Sequence, residues 1–242
     1  VTHPVLAEAV TQFQAQAYKE LLPADGPVRA QIMGALTPEK QDQAHRVKDF
    51  MNYQLMDQMK EYEPEFDQML FYLPLTGSTF KKVYYDELLG RAVSKFIQAE
   101  DLIVPYTANS LDDADAIVHV IRMSKNDLRK QQVGGFYKDI ELGEPPIDES
   151  QIKSKQLELE GVTANDQQRE SMYTILEVHT NLDLEDYPDV NENEEPTGIK
   201  LPYIITIDET SQQVLSIRRN YEPEDPLKKK KNYFVQFKFL PG

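Results

Sequence analysis

An α+β fold, with helices first and strands later, is what this 242-residue sequence predicts. Apolar residues recur at three- and four-residue spacing up to about Leu73, alternation takes over near Thr79, and the last third is a series of apolar or alternating runs bounded by turn residues. A hydrophobic share of 40% with 10% aromatics is enough to bury a core at this length. No internal repeat is visible.

Leu6, Val10, Phe13, Ala17 and Leu21 form the first helical stripe, with Pro4 ahead of it and Pro23 closing it. After the turn Ala24-Asp25-Gly26-Pro27, Val28 to Met33 alternates and predicts a short strand. Thr37-Pro38-Glu39 then supplies an N-cap, a first-turn proline and an acid that suits the helix dipole. The stripe Val47, Phe50, Met51, Gln54, Leu55 and Met59 predicts a long second helix reaching about Glu63. Pro64 opens a third, with Phe66, Met69, Leu70 and Leu73 facing inward. Thr79 to Tyr85 and Val93 to Ile97, joined by Asp86 to Gly90, predict a hairpin. Leu102 to Pro105 and Ile117 to Arg122 add two short strands. Ser124 and Asp127 make a capping box for a helix to about Gln132, which Gly134-Gly135 ends. Asp148 caps a further expected helix from Glu149 to Leu159. Tyr173 to Leu184, Leu201 to Asp208, Gln213 to Arg219 and Tyr233 to Leu240 read as strands, with a hairpin turn at Ile207 to Ser211.

The chain holds 26 Lys and Arg against 41 Asp and Glu, a net charge of −15, which argues against a duplex-DNA clamp built on basic side chains. Residues 139 to 195 contain 17 acids and three bases, so nearly all of the excess sits in one segment. Prolines 145, 146, 188 and 196 interrupt it, and it reads as solvated loop. Its functional reading is a surface past which a polyanion slides, since like charges repel over about 8 Å. Glu185, Asp186, Asp189, Glu192, Glu194 and Glu195 are the acids for that role. The opposite charge collects in Lys228, Lys229, Lys230 and Lys231, which with Arg218 and Arg219 are candidates for phosphate or partner contact.

Reactive chemistry finds little support. With no cysteine, disulfides, thiolate nucleophiles and Cys-ligated zinc are excluded. His3, His45, His119 and His179 are scattered, and the last two lie in strand-like runs where a structural histidine is the expectation. Asp189-x-Asn191-x-Asn193 starts like a calcium loop, but Glu194 stands where glycine is needed and Lys200 where the bidentate glutamate belongs. There is no phosphate-cradling loop and no nucleophile elbow. Glu100-Asp101 and Asp112-Asp113 are adjacent carboxylates that point apart in a strand or turn. No enzyme, cofactor or metal is expected, and no apolar run reaches the roughly 20 residues of a membrane span.

The runs HPVLAEAVTQFQAQAYKELLPADGPVRAQI, FDQMLFYLPLTGSTFKKVYYD, SKFIQAEDLIVPY, HVIRMSKNDLRKQQVGGFY, GIKLPYIITID, VLSIRRNY and YFVQFKFLPG together resemble the portal protein, or head-to-tail connector, of short-tailed bacteriophages. Only about Glu141 to Ser171 and Glu185 to Glu195 lack the likeness. The resemblance implies a ring, commonly a dodecamer, at one capsid vertex of the virion, assembled in the bacterial host cytoplasm. It implies as partners further copies of itself, the terminase motor, tail or adaptor proteins, the major capsid protein, and double-stranded DNA passing without sequence specificity. It implies no membrane and no catalytic residues, because the separate motor supplies the energy. It further implies a wing-like α+β region at 1–122, a helical and acidic connection at 123–172, and a β-rich wing or clip at 173–242. The chain stops where that family continues into further helices, so an N-terminal to central fragment is expected. The alternatives are another head–tail adaptor or scaffold protein, or a hydrolase using His119 or His179 with dispersed carboxylates.

Overall fold

A computed structural model describes residues 4–87, 89–145, 172–190 and 195–239. Among them are four α-helices and eight strands in two antiparallel sheets. The chain divides into two compact units, one of residues 1–100 with 232–242 and one of residues 101–231. The division expected at residue 122 falls within a strand, and the final strand, although it lies in the β-rich C-terminal part of the sequence, belongs to the first unit.

In the first unit, α1 (Val5–Leu21) and α3 (Tyr62–Thr76) pack on a sheet of order β2-β1-β8, formed by Ser78–Asp86 (β1), Arg91–Ile97 (β2) and Phe234–Lys238 (β8). The predicted hairpin is present, running from Phe80 opposite Ile97 to Asp86 opposite Arg91, and β8 closes the other side with Ser78 opposite Lys238. Leu22, Phe66, Met69 and Leu70 form the core, joined by Ala17, Tyr18, Met56, Phe96 and Phe237. Glu61 at the start of α3 grips Arg91 through two bonds of 2.6 and 2.8 Å, and Glu65 accepts the Phe96 N–H at 2.7 Å. Gly77 ends α3 at φ +75°, where a side chain would be strained.

Two expectations need correction here. Residues 28–33 form no strand; at the first of them the Asn52 side chain takes both backbone groups of Val28, Oδ1 accepting its N–H at 2.9 Å and Nδ2 donating to its carbonyl at 3.2 Å. The second helix, α2 (Pro38–Tyr53), ends well before Glu63 in a π-helical turn at Gln54–Gln58. That turn brings Met56 against the core and buries Met59. The break also divides the apolar stripe: Gln54, Leu55 and Met59 turn inward, whereas Val47, Phe50 and Met51 are 48%, 58% and 43% exposed and α2 itself buries no side chain.

The second unit is built on a sheet of order β3-β4-β5-β6-β7, from Leu102–Ile103, Ala116–Met123, Tyr173–Leu182, Leu201–Asp208 and Val214–Arg219. Short α4 (Lys125–Val133) has the predicted capping box, in which the Ser124 hydroxyl accepts the Asp127 N–H at 3.1 Å. Leu128 of α4 packs with Tyr173, Ile175 and Leu215 at the centre of the unit. A second cluster joins Leu201, Tyr203 and Tyr221. The turn after β6 is tied by Asp208, whose carboxylate accepts from the Ser211 N–H at 2.8 Å and hydroxyl at 2.6 Å. The helix expected from Glu149 to Leu159 lies outside the described residues.

Candidate functional site

The acids and bases singled out above lie on the second unit, and the fold gives them different environments. Glu185, Asp186 and Glu195 are exposed, while Glu192 and Glu194 lie outside the described residues. Asp189 departs from the expectation of a solvated acid: it is 9% exposed. Its carboxylate receives the Lys228 ammonium and, at 2.6 Å, the Thr197 hydroxyl. Those two hydrogen bonds, Lys228 first, hold its carboxyl below the usual aspartate range against the opposing effect of burial. An antiparallel bridge pairs Val190 with Pro196, the neighbours of Asp189 and Thr197.

The lysine run is largely engaged within its own unit. Lys228 is taken by Asp189, and Lys231 pairs with Glu222 at 2.5 Å. Lys230 donates to the backbone carbonyl of Asp112 at 2.6 Å and reaches those of Leu111 and Ala114 at 3.4 Å. Asp225 organises the run from below by accepting the N–H groups of Leu227 and Lys229 at 3.0 and 3.1 Å, and these bonds lower its pKa. The Arg218 guanidinium donates to the Phe136 carbonyl at 2.8 Å and lies 4.9 Å from that ring's centre. Lys229 and Arg219 remain exposed. A phosphate would therefore have to displace protein acceptors from most of this run before any charge was gained.

A constellation that sequence reasoning missed crosses the sheet of the same unit. His119 on β4 stands opposite Glu177 on β5, and His179, two residues along β5 and 8% exposed, is 2.7 Å from the Glu177 carboxylate. Strand alternation places residues 177 and 179 on one face, but only the β4–β5 register adds His119. Among the described residues, no group of three His, Asp or Glu side chains has the arrangement of a metal site.

Two grooves mark the described surface. One of about 630 Å³ runs between α1 and α3, where Gln14 bonds Asp67 at 2.8 Å and Tyr18 bonds Glu63. The other, of about 820 Å³, lies along α4 and is crossed by the Arg129–Asp139 ion pair. Neither is lined by the His119–Glu177–His179 row. No described helix is long and apolar enough to cross a membrane. The chain matches no protein-family model and no curated protein sequence.

Proposed function

We propose that this chain is a structural subunit of a phage portal ring, a conduit for DNA during packaging and ejection and a platform for terminase and tail. The reading starts from the portal-like runs quoted above, and the observation that carries it further is α2. A 16-residue helix that buries nothing and turns Val47, Phe50 and Met51 outward has an apolar face that a neighbouring molecule would cover. In a closed ring every copy meets two others, so such faces are required. The charge distribution fits a conduit: the unit of residues 101–231 holds 27 acids against 15 bases, and most of its lysine run is engaged internally. Duplex DNA would be repelled by this surface and would slide past it. The proposed partners are further copies, the terminase motor, tail or adaptor proteins and the major capsid protein, in the virion, without a cofactor and without catalysis.

The test is the mass of the protein in solution together with electron microscopy. Closed rings with a duplex-wide channel are expected, and the double substitution Val47→Glu with Phe50→Glu should shift the mass towards the monomer without altering the circular dichroism spectrum. A monomer at high concentration rejects the reading. An oligomer without a channel favours the adaptor or scaffold alternative.

A further inference from the structure

Lys81 occupies the centre of β1, the middle strand of its sheet, with Phe96 on β2 and Val235 on β8 as register partners. It is 3% exposed, and its amine has no hydrogen-bond acceptor among the described residues. What faces the amine is aromatic: the ring centres of Tyr62 and Phe66, both on α3, lie 4.4 and 5.0 Å away. The surrounding charged groups are already committed. Glu61, just before α3, is held by Arg91 of β2, and Glu65 of α3 accepts the Phe96 N–H. Both acids favour the ammonium from a distance, yet burial prevails and lowers the amine to about 8. The β8 neighbour is uncharged.

An ammonium here loses its hydration, and two ring faces return only part of that. The neutral amine has far less to lose, and its methylene stem packs on the same rings. The charged form can recover water only if the first turns of α3, which carry Tyr62 and Phe66, lift from the sheet. α1 is tied to those turns, because Gln14 and Tyr18 bond Asp67 and Glu63.

We propose that Lys81 is a proton-operated latch between α3 and the β2-β1-β8 sheet, with α3 opening readily while the amine is protonated and seating firmly when the proton leaves. The inference does not depend on the portal reading, since it concerns one unit of one chain.

Amide hydrogen exchange of the intact protein from pH 6.5 to 9.5, expressed as protection after correction for the intrinsic exchange rate, tests it. If opening restores the ordinary lysine pKa, protection of α3 should rise roughly thirty-fold over that range, while α4, in the other unit, should not follow. Lys81→Met should give high protection at every pH, and Lys81→Arg, which keeps its charge, should hold protection low throughout. A flat α3 profile in the wild-type protein overturns the latch, and so does a Lys81→Met protein with the wild-type slope. The wild-type titration decides the matter even where a variant fails to fold.

Discussion

Asn52→Ala removes the side chain that fastens α2. That amide accepts the Val28 N–H at 2.9 Å and donates to the carbonyls of Val28 at 3.2 Å and Asp25 at 3.4 Å. The backbone comes close enough for this because Gly26, at φ +89°, has no Cβ; one built there would lie 2.4 Å from the Asn52 side chain. Taking the first two bonds at about 1 kcal/mol each and the longest at little, the substitution should cost about 2 kcal/mol. In a chain of this size that is a fall in Tm of roughly 4–8 °C. The helical signal should suffer more than the stability figure suggests. A helix of 16 residues is marginal in water without packing, and α2 buries nothing, so the far-UV spectrum should lose α2's share before the main transition. Calorimetry and circular dichroism on the same samples check both outcomes. If Asn52→Ala keeps the wild-type Tm within a degree and its full helical signal, the clasp does not hold α2, and α2's outward stripe has another cause.

Further perturbations probe the rest of the molecule. Leu215→Ala, at a side chain 1% exposed in the second unit's core, should cost about 2–5 kcal/mol in urea unfolding. The Tyr18 hydroxyl is pushed up to about 12, mainly by its bond to Glu63. The folded state therefore keeps a proton that the unfolded state releases near 10, so stability falls from about pH 10 towards pH 12, and Tyr18→Phe should remove that part of the alkaline loss. On the acid side, Arg91 lowers the carboxyl of Glu61 below its ordinary 4.5. Its contribution is present above pH 4.5 and lost as pH falls through the lowered value, which Glu61→Gln should show as a shallower acid limb.

Much of the secondary structure is legible in the residue pattern, because burial on one face imposes its own period. The β6 reading of Leu201 to Asp208 matches the strand end to end, and Ser124 with Asp127 marks the start of α4. The failures share a cause. The alternation of Val28 to Met33 says what a strand could do, but no partner strand is supplied, and a side chain 24 residues away takes the hydrogen bonds of Val28. The α2 stripe says that an apolar face exists, but not whether this chain covers it. Nor does any local pattern place β8 beside β1, a pairing of Ser78 with Lys238. The candidate site divides in the same way. Opposite charges at 189 and 228 are plain in the sequence, whereas their union, like the placement of His119 opposite Glu177 across two strands, follows from the path of the chain between them.

The lysine run can be tested against its two roles, phosphate contact and internal fastening. Fastening predicts that Lys228→Ala and Lys230→Ala lower stability, by releasing Asp189 and the carbonyls near Asp112, and leave duplex binding as weak as before. Phosphate contact predicts instead a lost affinity and a smaller salt dependence with little change in stability. The geometry favours the first, because a lysine that already has an acceptor gains only the difference on moving to phosphate, and does so beside exposed acids such as Glu185 and Asp186. Glu185→Gln with Asp186→Asn should then raise duplex retention at low salt, whereas Asp189→Asn should loosen the fold, since only that acid is built into a clasp. Filter binding at 50 and about 200 mM salt, set against urea unfolding of the same variants, separates them. Tight, strongly salt-dependent duplex binding by the wild-type chain that Lys228→Ala abolishes would give the run back to DNA, and with it remove the argument that this surface lets DNA slide.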